Sequence, residues 1–566
     1  MYVATVPNRN SPPAILLRES YREGGKVKTR TLGNISSLPP EQIEGIRRVL
    51  RGEQVFTEGD LEILASRAHG SVSLVLGAMH RAGLAAVVAP RRSRERDVVM
   101  AMIAGRLLMP KTKLATTRAW QTTTLPELLE VDDATENDLY AAMDWLLENQ
   151  PAIERRLAGK YLKDGAIVLY DISSSYLTGR HCPLAKRGYS RDHRGDLPQV
   201  VYGVITDGEG CPVAVEVFEG NTSDTTTVMD QIEKIRERFG LQRIIFVGDR
   251  GMIKQARIEA LRAKGGVDWV SALDSRQVQR LRDGGAIQLS LFDEKDLVEI
   301  QSEDFPGERV VVCRNPALAT ERARKRRELL AATEAALDKV VASVQAGRLK
   351  AADKIALRVG RVIGRFKMRK HFLTDISQGR FSYVRNEESI RYEAELDGLY
   401  AIRTSLTVEQ EPSPEQIVRT YKRLTRIERI FRSMKTTQLL VRPIHHRTVD
   451  RVRAHIFLCM LAAHVIWHLE QALAYWLFAD PGLPEQKRAG DPVAPPRRTP
   501  EGHRKVTEQT SADNHPLHSL RTLLEEMATL TRTTLVLRNS PLPPWDKDAR
   551  PSAHQTAILA AVGVTL

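Results

Sequence analysis

Cysteine is scarce in this chain: Cys182, Cys211, Cys313 and Cys459 are its whole complement in 566 residues. None belongs to a C-x-x-C pair, which argues against a disulfide framework and against a cysteine-built structural zinc site. Residues 1–13, MYVATVPNRNSPP, carry neither the charged n-region nor the apolar h-region of a signal peptide. The longest apolar run, 455–479, would place His464, His468 and Glu470 inside hydrocarbon, so a buried or amphipathic core helix is expected there. The expectation is a cytoplasmic protein with no membrane partner. No internal repeat and no Walker-type phosphate loop is found, so nucleotide-driven chemistry has no sequence support.

What is present is a mild basic excess. Lys and Arg number 84 against 70 Asp and Glu, a net charge of +14. With 42% hydrophobic and 27% charged residues, the composition is that of a globular protein. A positive balance points to a polyanion, either nucleic acid or an acidic membrane surface. The length calls for more than one domain.

Periodicity divides the chain. Residues 14–35 read as a β-hairpin turning at Gly24-Gly25, with Lys26, Lys28 and Arg30 on one face of its outer strand. Helical spacing rules from about 40 to 160, either as a DNA-reading module or as packing. Thr135 or Asn137 is the expected N-cap of a helix with an apolar stripe at Leu139, Met143 and Leu146. From 166 the pattern changes to strands. AIVLYDIS is a buried run, 199–219 is a hairpin turning at 207–210, a helix covers 225–239, and RIIFVGDRG and WVSAL frame a helix at 253–264. This order is that of an α/β sheet of ribonuclease-H-like type. Residues 275–400 interrupt it with a basic helix and a run from Arg348 to Lys370 that has Asp353 as its sole acid. A long helix is expected at 415–436, the apolar helix follows, and 480–516 reads as loop or flexible linker. The domain expectation is therefore 1–158 (hairpin plus helical region, DNA-binding if the module reading holds), 159–274 (first part of the core), 275–400 (basic insertion), 401–480 (second part of the core) and 481–566 (linker and tail).

Two carboxylates stand at matching positions. Asp171 follows the buried run from Ile167 to Tyr170, and Asp249 follows Ile244 to Gly248. Strand ends in an α/β sheet converge on one crevice, and an Asp after an apolar run is costly to bury without a partner such as a cation. A third acid sits on the 415–436 helix. Tyr421, Glu428 and Lys435 are spaced by sevens, which leaves them on one narrow stripe. Glu219 is a reserve acid, and Asp224 is expected to cap the helix at 225–239. Lys186, Arg187, Arg191, His193 and Arg194 cluster in the loop between the first two core strands and are candidates for phosphate contact.

YDISSSY around Asp171, VGDRGM around Asp249 and YKRLTRIERIFRSMK around Glu428 resemble the three signature blocks of DDE insertion-sequence transposases, and more narrowly insertion-sequence family four and its close relatives. That family carries Tyr-x2-Arg-x3-Glu-x6-Lys in its third block. Here the pattern is Tyr421-x2-Leu424-x3-Glu428-x6-Lys435, so Leu424 stands where the family has Arg, and Arg423 or Arg426 is the candidate replacement. The likeness extends over roughly 160–480.

The resemblance implies that Asp171, Asp249 and Glu428 are catalytic and hold two Mg²⁺ ions, with Mn²⁺ as a substitute. It implies binding to double-stranded DNA, both the terminal inverted repeats of an element and the target. Tyr421, Arg423 and Lys435 join the 186–194 loop as DNA contacts, and the DNA complex is expected to be a homodimer. The insertion has no Trp, so Phe372, Phe381 or Tyr383 are the aromatic faces available there for base stacking. Two other readings fit the same residues: a ribonuclease-H-like repair or recombination nuclease, and an inactive transposase-derived DNA-binding protein.

Overall fold

The computed structural model describes all residues except 10, 54–57, 180, 251, 254, 293–294, 481–482, 484–489, 495–496 and 539–540. The chain divides into two compact units: Met1–Arg67 with Thr531–Ala549, and Ala68–Leu530 with Arg550–Leu566.

In the first unit, β1 (Tyr2–Val6) pairs antiparallel with β2 (Ala14–Glu23), which pairs antiparallel with β3 (Lys26–Asn34). Gly24 and Gly25 join the last two with φ of 58° and 80°, a backbone that suits a two-residue turn and residues without a Cβ. The basic strand is partly neutralised by its neighbour. Arg30 lies across from Glu19 at 2.6 Å, and Lys28 meets Glu23 at 2.7 Å. After a helix at Pro40–Leu50 the unit adds β4 (Leu61–Ala68).

The second unit opens with helices, among them Gly70–Arg81, Arg94–Leu108 and Glu136–Glu148. Thr135 starts the last of these with a reciprocal capping box to Asp138, and Leu139, Met143 and Leu146 are fully buried. All three helices pack on Val449–Ala472, the apolar helix of the sequence. It is long and apolar enough to cross a membrane, but 83% of its most apolar window is buried inside the protein. Burial also explains its histidines: the His464 ring bonds to the Pro212 carbonyl at 2.9 Å.

Against this helical layer lies an eight-stranded mixed sheet. Its strands are β5 (Ala166–Tyr176), β6 (Gln199–Asp207), β7 (Pro212–Glu219), β8 (Ile244–Gly248), β9 (Val267–Ala272), β10 (Leu297–Ile300), β11 (Arg309–Arg314) and, after the small β12 (Phe372–Ser377) and β13 (Arg380–Arg385) pair, β14 (Leu399–Thr404). The sheet order is β10-β11-β14-β9-β8-β5-β6-β7, with β5, β8 and β9 parallel and the other pairs antiparallel.

Three features depart from the sequence reading. First, β10, β11 and β14 continue the central sheet, so the 275–400 segment is only partly separate from it. What stands apart is a helical pair, Pro316–Gln345 and Ala352–Phe366, packed with β12 and β13 around a core of its own that includes Leu330, Leu337 and Ile355. Phe372 and Phe381 belong to that core at 5% and 6% exposure, and the Tyr383 hydroxyl bonds to Asp338, so none of the three is a free stacking face. Second, the 415–436 helix is divided at Arg423 into Pro414–Lys422 and Leu424–Arg432, and ends in a π-helical turn at Ser433–Thr437. Third, within 480–516, ten residues of which lie outside the described residues, Pro500–Glu508 is helical. Lys505 anchors it, buried with its ammonium donating to the carbonyls of Ala474, Tyr475, Leu477 and Ala479.

The chain then returns to the first unit through β15 (Thr531–Leu537) and β16 (Trp545–Asp548), which form a sheet in the order β16-β15-β4. A last helix, Ala553–Ala560, belongs to the second unit.

Candidate active site

Asp171 does not end its strand, because β5 runs on to Tyr176 and pairs Asp171 with Val204 of β6. On its other side β5 is parallel to β8, and that pairing stops at Tyr170 with Gly248. Asp249, the next residue after β8, therefore lies beside Asp171. The Asp171 carboxylate accepts from the Ile172 amide at 2.8 Å. Burial, with the charges of Asp249 and Asp224, holds its pKa up at about 7, against the pull of the Ile172 amide and the Arg191 guanidinium.

Glu428 comes from the helix Leu424–Arg432, which buries Leu424, Ile427, Ile430 and Phe431 and packs on β5. Burial and the Asp249 charge raise the Glu428 carboxyl, opposed by Arg432. One turn-pair earlier, the Tyr421 hydroxyl donates to Asp249 Oδ1 at 3.2 Å, and burial and that carboxylate push the phenol upward. Asp171, Asp249, Glu428 and Tyr421 thus converge. Among the described residues the three carboxylates do not close into a cluster with oxygens all within 4.8 Å.

Lys435, the third member of the stripe, goes elsewhere. The π-helical turn changes its angular position, and its ammonium meets Asp192 Oδ1 at 2.9 Å. Arg442 reaches the same oxygen at 2.6 Å. Lys435 and Asp192 are 9% and 2% exposed, so this is a buried ion cluster that ties the 186–194 loop to the end of the Glu428 helix. Sequence reasoning passed over Asp192 and Arg442. The available signal was Asp192 itself, an acid inside an otherwise basic loop.

The remaining loop residues separate by exposure. Lys186, Arg187 and His193 are exposed, and His193 takes a left-handed backbone with φ of 56°. Arg194 is exposed, paired with Asp196 at 2.9 Å and set over the Tyr176 ring. Arg191 is half-buried and bonds Asp224 Oδ1 at 2.7 Å, so Asp224 is an ion-pair partner near Asp171, and Ser223 occupies the N-cap position expected for it. The loop is pressed onto the sheet at Lys186, which exchanges backbone hydrogen bonds with Gln199 at 3.1 and 2.8 Å. Gly220 permits that approach: a Cβ there would lie 1.9 Å from the Gln199 carbonyl oxygen and 2.5 Å from that of Lys186. Arg423 and Arg426, the candidates to replace the family arginine, both turn to the 207–210 hairpin, where Arg426 pairs with Glu209 at 2.8 Å and Arg423 lies 3.5 Å from it.

Residues 167–465, a span that contains all three acids and more than half of the chain, match the family model of the transposase DDE domain. The protein belongs to this family of DDE transposases, DNA-binding and DNA-cleaving enzymes that normally use divalent metal ions. Residues 3–62 match a second model, the N-terminal domain of IS1634 family transposases. That match names the IS1634 family and does not confirm insertion-sequence family four and its close relatives, to which the three blocks pointed. No curated protein matches the chain.

Proposed function

We propose that this protein moves an insertion element, cutting DNA at the element's inverted-repeat ends and joining those ends to a target. In this reading Asp171, Asp249 and Glu428 are the catalytic residues on a ribonuclease-H-like core. The single observation that carries it is the meeting of three acids from β5, the end of β8 and the Glu428 helix, with the Asp171 carboxyl held up at about 7. Like charges at a half-buried point are costly unless a cation joins them, and an all-carboxylate donor set suits a hard ion, Mg²⁺ or its substitute Mn²⁺. Two such ions, when bound, would supply Lewis-acid activation for an in-line displacement at phosphorus.

The chain's own residues then have distinct tasks. Tyr421 orients the Asp249 carboxylate through its hydroxyl. Lys186, Arg187, His193 and Arg194 offer an exposed basic edge to DNA phosphates. Arg191 balances Asp171 and Asp224 beside that edge. Lys435, paired with Asp192, positions the loop in place of contacting phosphate, and Arg423 steadies the 207–210 hairpin. Segment 1–158 is assigned to end recognition, 159–274 and 401–480 to the core, the part of 275–400 that stands apart from the central sheet, its helical pair with β12 and β13, to backbone contact with DNA, and 481–566 to the tail. A homodimer pairs the two ends.

Purified protein with terminal-repeat DNA and Mg²⁺ is expected to nick the element ends and to give strand-transfer products. Asp249→Asn should abolish both while DNA binding survives. Unchanged cleavage by that variant would overturn the site assignment. Cuts without joining would favour a repair nuclease, and binding without any cleavage by the wild type would favour an inactive derivative.

A further inference from the structure

A second chemical cluster lies away from these acids, where the second unit closes. His518 precedes the helix Leu520–Met527, Glu526 is near that helix's end, and His554 is in the first turn of Ala553–Ala560. One side-chain ligand atom from each lies within 4.8 Å of the others. His518 Nε2 is 2.9 Å from Glu526 Oε2, and His554 Nε2 is 4.0 Å from Glu526 Oε1.

The hydrogen bonding of these imidazoles is incomplete. The His554 side chain is 10% exposed, yet neither of its ring nitrogens has a hydrogen-bond partner. His518 Nε2 is buried and close to Glu526, but out of alignment for a hydrogen bond. Buried polar nitrogens left in this state are costly, and two aimed at one carboxylate share a single remedy. The backbone around them is held independently. His518 is bound to Trp476 and Phe478 through backbone hydrogen bonds of 3.0 and 3.3 Å, and Ser552 caps the His554 helix with a reciprocal box. The His515 ring stacks on His554 at 4.2 Å and supports its plane.

We propose that His518, Glu526 and His554 bind one divalent transition-metal ion of the zinc class, with solvent completing the coordination. Two imidazoles and a carboxylate are a zinc-type donor set, and no cysteine is needed. The position gives the ion a task. The chain leaves the second unit after Leu530 to supply β15 and β16 to the first, and re-enters at Arg550. His518 and Glu526 lie before that excursion and His554 after it, so the ion closes the loop at its base and lowers the entropy of its open states. This inference stands independently of the proposed active site.

The test uses full-length protein stripped with EDTA, then titrated with Zn²⁺ and, separately, Co²⁺. Retention of one zinc equivalent against excess Mg²⁺, kept by Asp171→Asn and lost by His518→Ala and Glu526→Gln, is expected. The melting temperature of the wild type should rise with zinc and that of the two variants should not. Cobalt bound to the wild type should show ligand-field bands without thiolate charge transfer, a readout that needs no variant to fold. Failure to retain zinc would overturn the proposal. So would retention by His518→Ala combined with loss in Cys211→Ser, which would assign the ion to Cys211, His464 and His468, the other such group among the described residues.

Discussion

Replacing Asp192 by Asn should loosen the 186–194 loop selectively. Asp192 is 2% exposed and is the counter-charge for both Lys435 and Arg442. Its second carboxylate oxygen has no hydrogen-bond partner, so attraction to the two cations is what compensates its burial. Removing one partner of a buried ion pair costs about 3–5 kcal/mol, because the charge left behind stays desolvated. Arg442 retains 21% exposure and can recover some hydration, which puts the expected cost near the lower end, about 3 kcal/mol. At about 1.4 kcal/mol per factor of ten, local opening becomes roughly 100-fold more frequent. Hydrogen exchange reads this directly at the amides of Arg191, His193 and Arg194, which donate to Ser174 Oγ, the Ser190 carbonyl and Ser190 Oγ. Adding Lys435→Met to Asp192→Asn should recover part of the loss, since one stranded cation is then gone. An exchange increase below about threefold in the single variant, or full additivity in the double variant, would refute a buried ion cluster as the loop's anchor.

Three further outcomes follow from the geometry. Gly220→Ala would drive a Cβ into the Gln199 carbonyl, so it should break the Lys186–Gln199 backbone pairing, seen as lost amide protection at both residues, and lower DNA affinity. Thr135→Ala removes the capping box of Glu136–Glu148 and should cost about 1 kcal/mol by thermal unfolding, with cleavage unaffected. Asp171 keeps its proton up to about pH 7 when folded, against about 4 when unfolded. Folded protein therefore binds more protons in that window. Without divalent ions its stabilising contribution is complete below about pH 4 and is lost as pH rises through 7, and Asp171→Asn should flatten this dependence in melting-temperature profiles.

Much of this was legible in the order of residues. Local patterns identified the buried runs of β5 and β8 and the two-glycine turn, narrowed one helix cap to Thr135 or Asn137, and gave core character to the apolar run at 455–479, because propensity, capping and apolar periodicity act over a few residues. Asp171 and Asp249 were marked by the apolar runs that precede them, and Glu428 by its seven-residue spacing to Tyr421 and Lys435 and by the resemblance of its block to the DDE family. Aromatic character alone misread Phe372 and Phe381, since an aromatic ring serves a core as readily as a stacking surface and only burial separates the two. The Tyr421, Glu428 and Lys435 stripe held for its first two members and failed at the third, where a π-helical turn changed the angle that straight-helix geometry assumes.

By itself, then, the sequence determined most of the strands and helices of the core and which acids stand out along them. Tertiary structure alone decided that β5 lies parallel to β8, so that Asp171 and Asp249 are neighbours across 78 positions of chain. It also decided that Asp192 is buried under Lys435 and that His554 returns to Glu526. These are contacts between distant residues, chosen by how sheets register and how charge and apolar surface are shared throughout the fold, and no local pattern of residues encodes them.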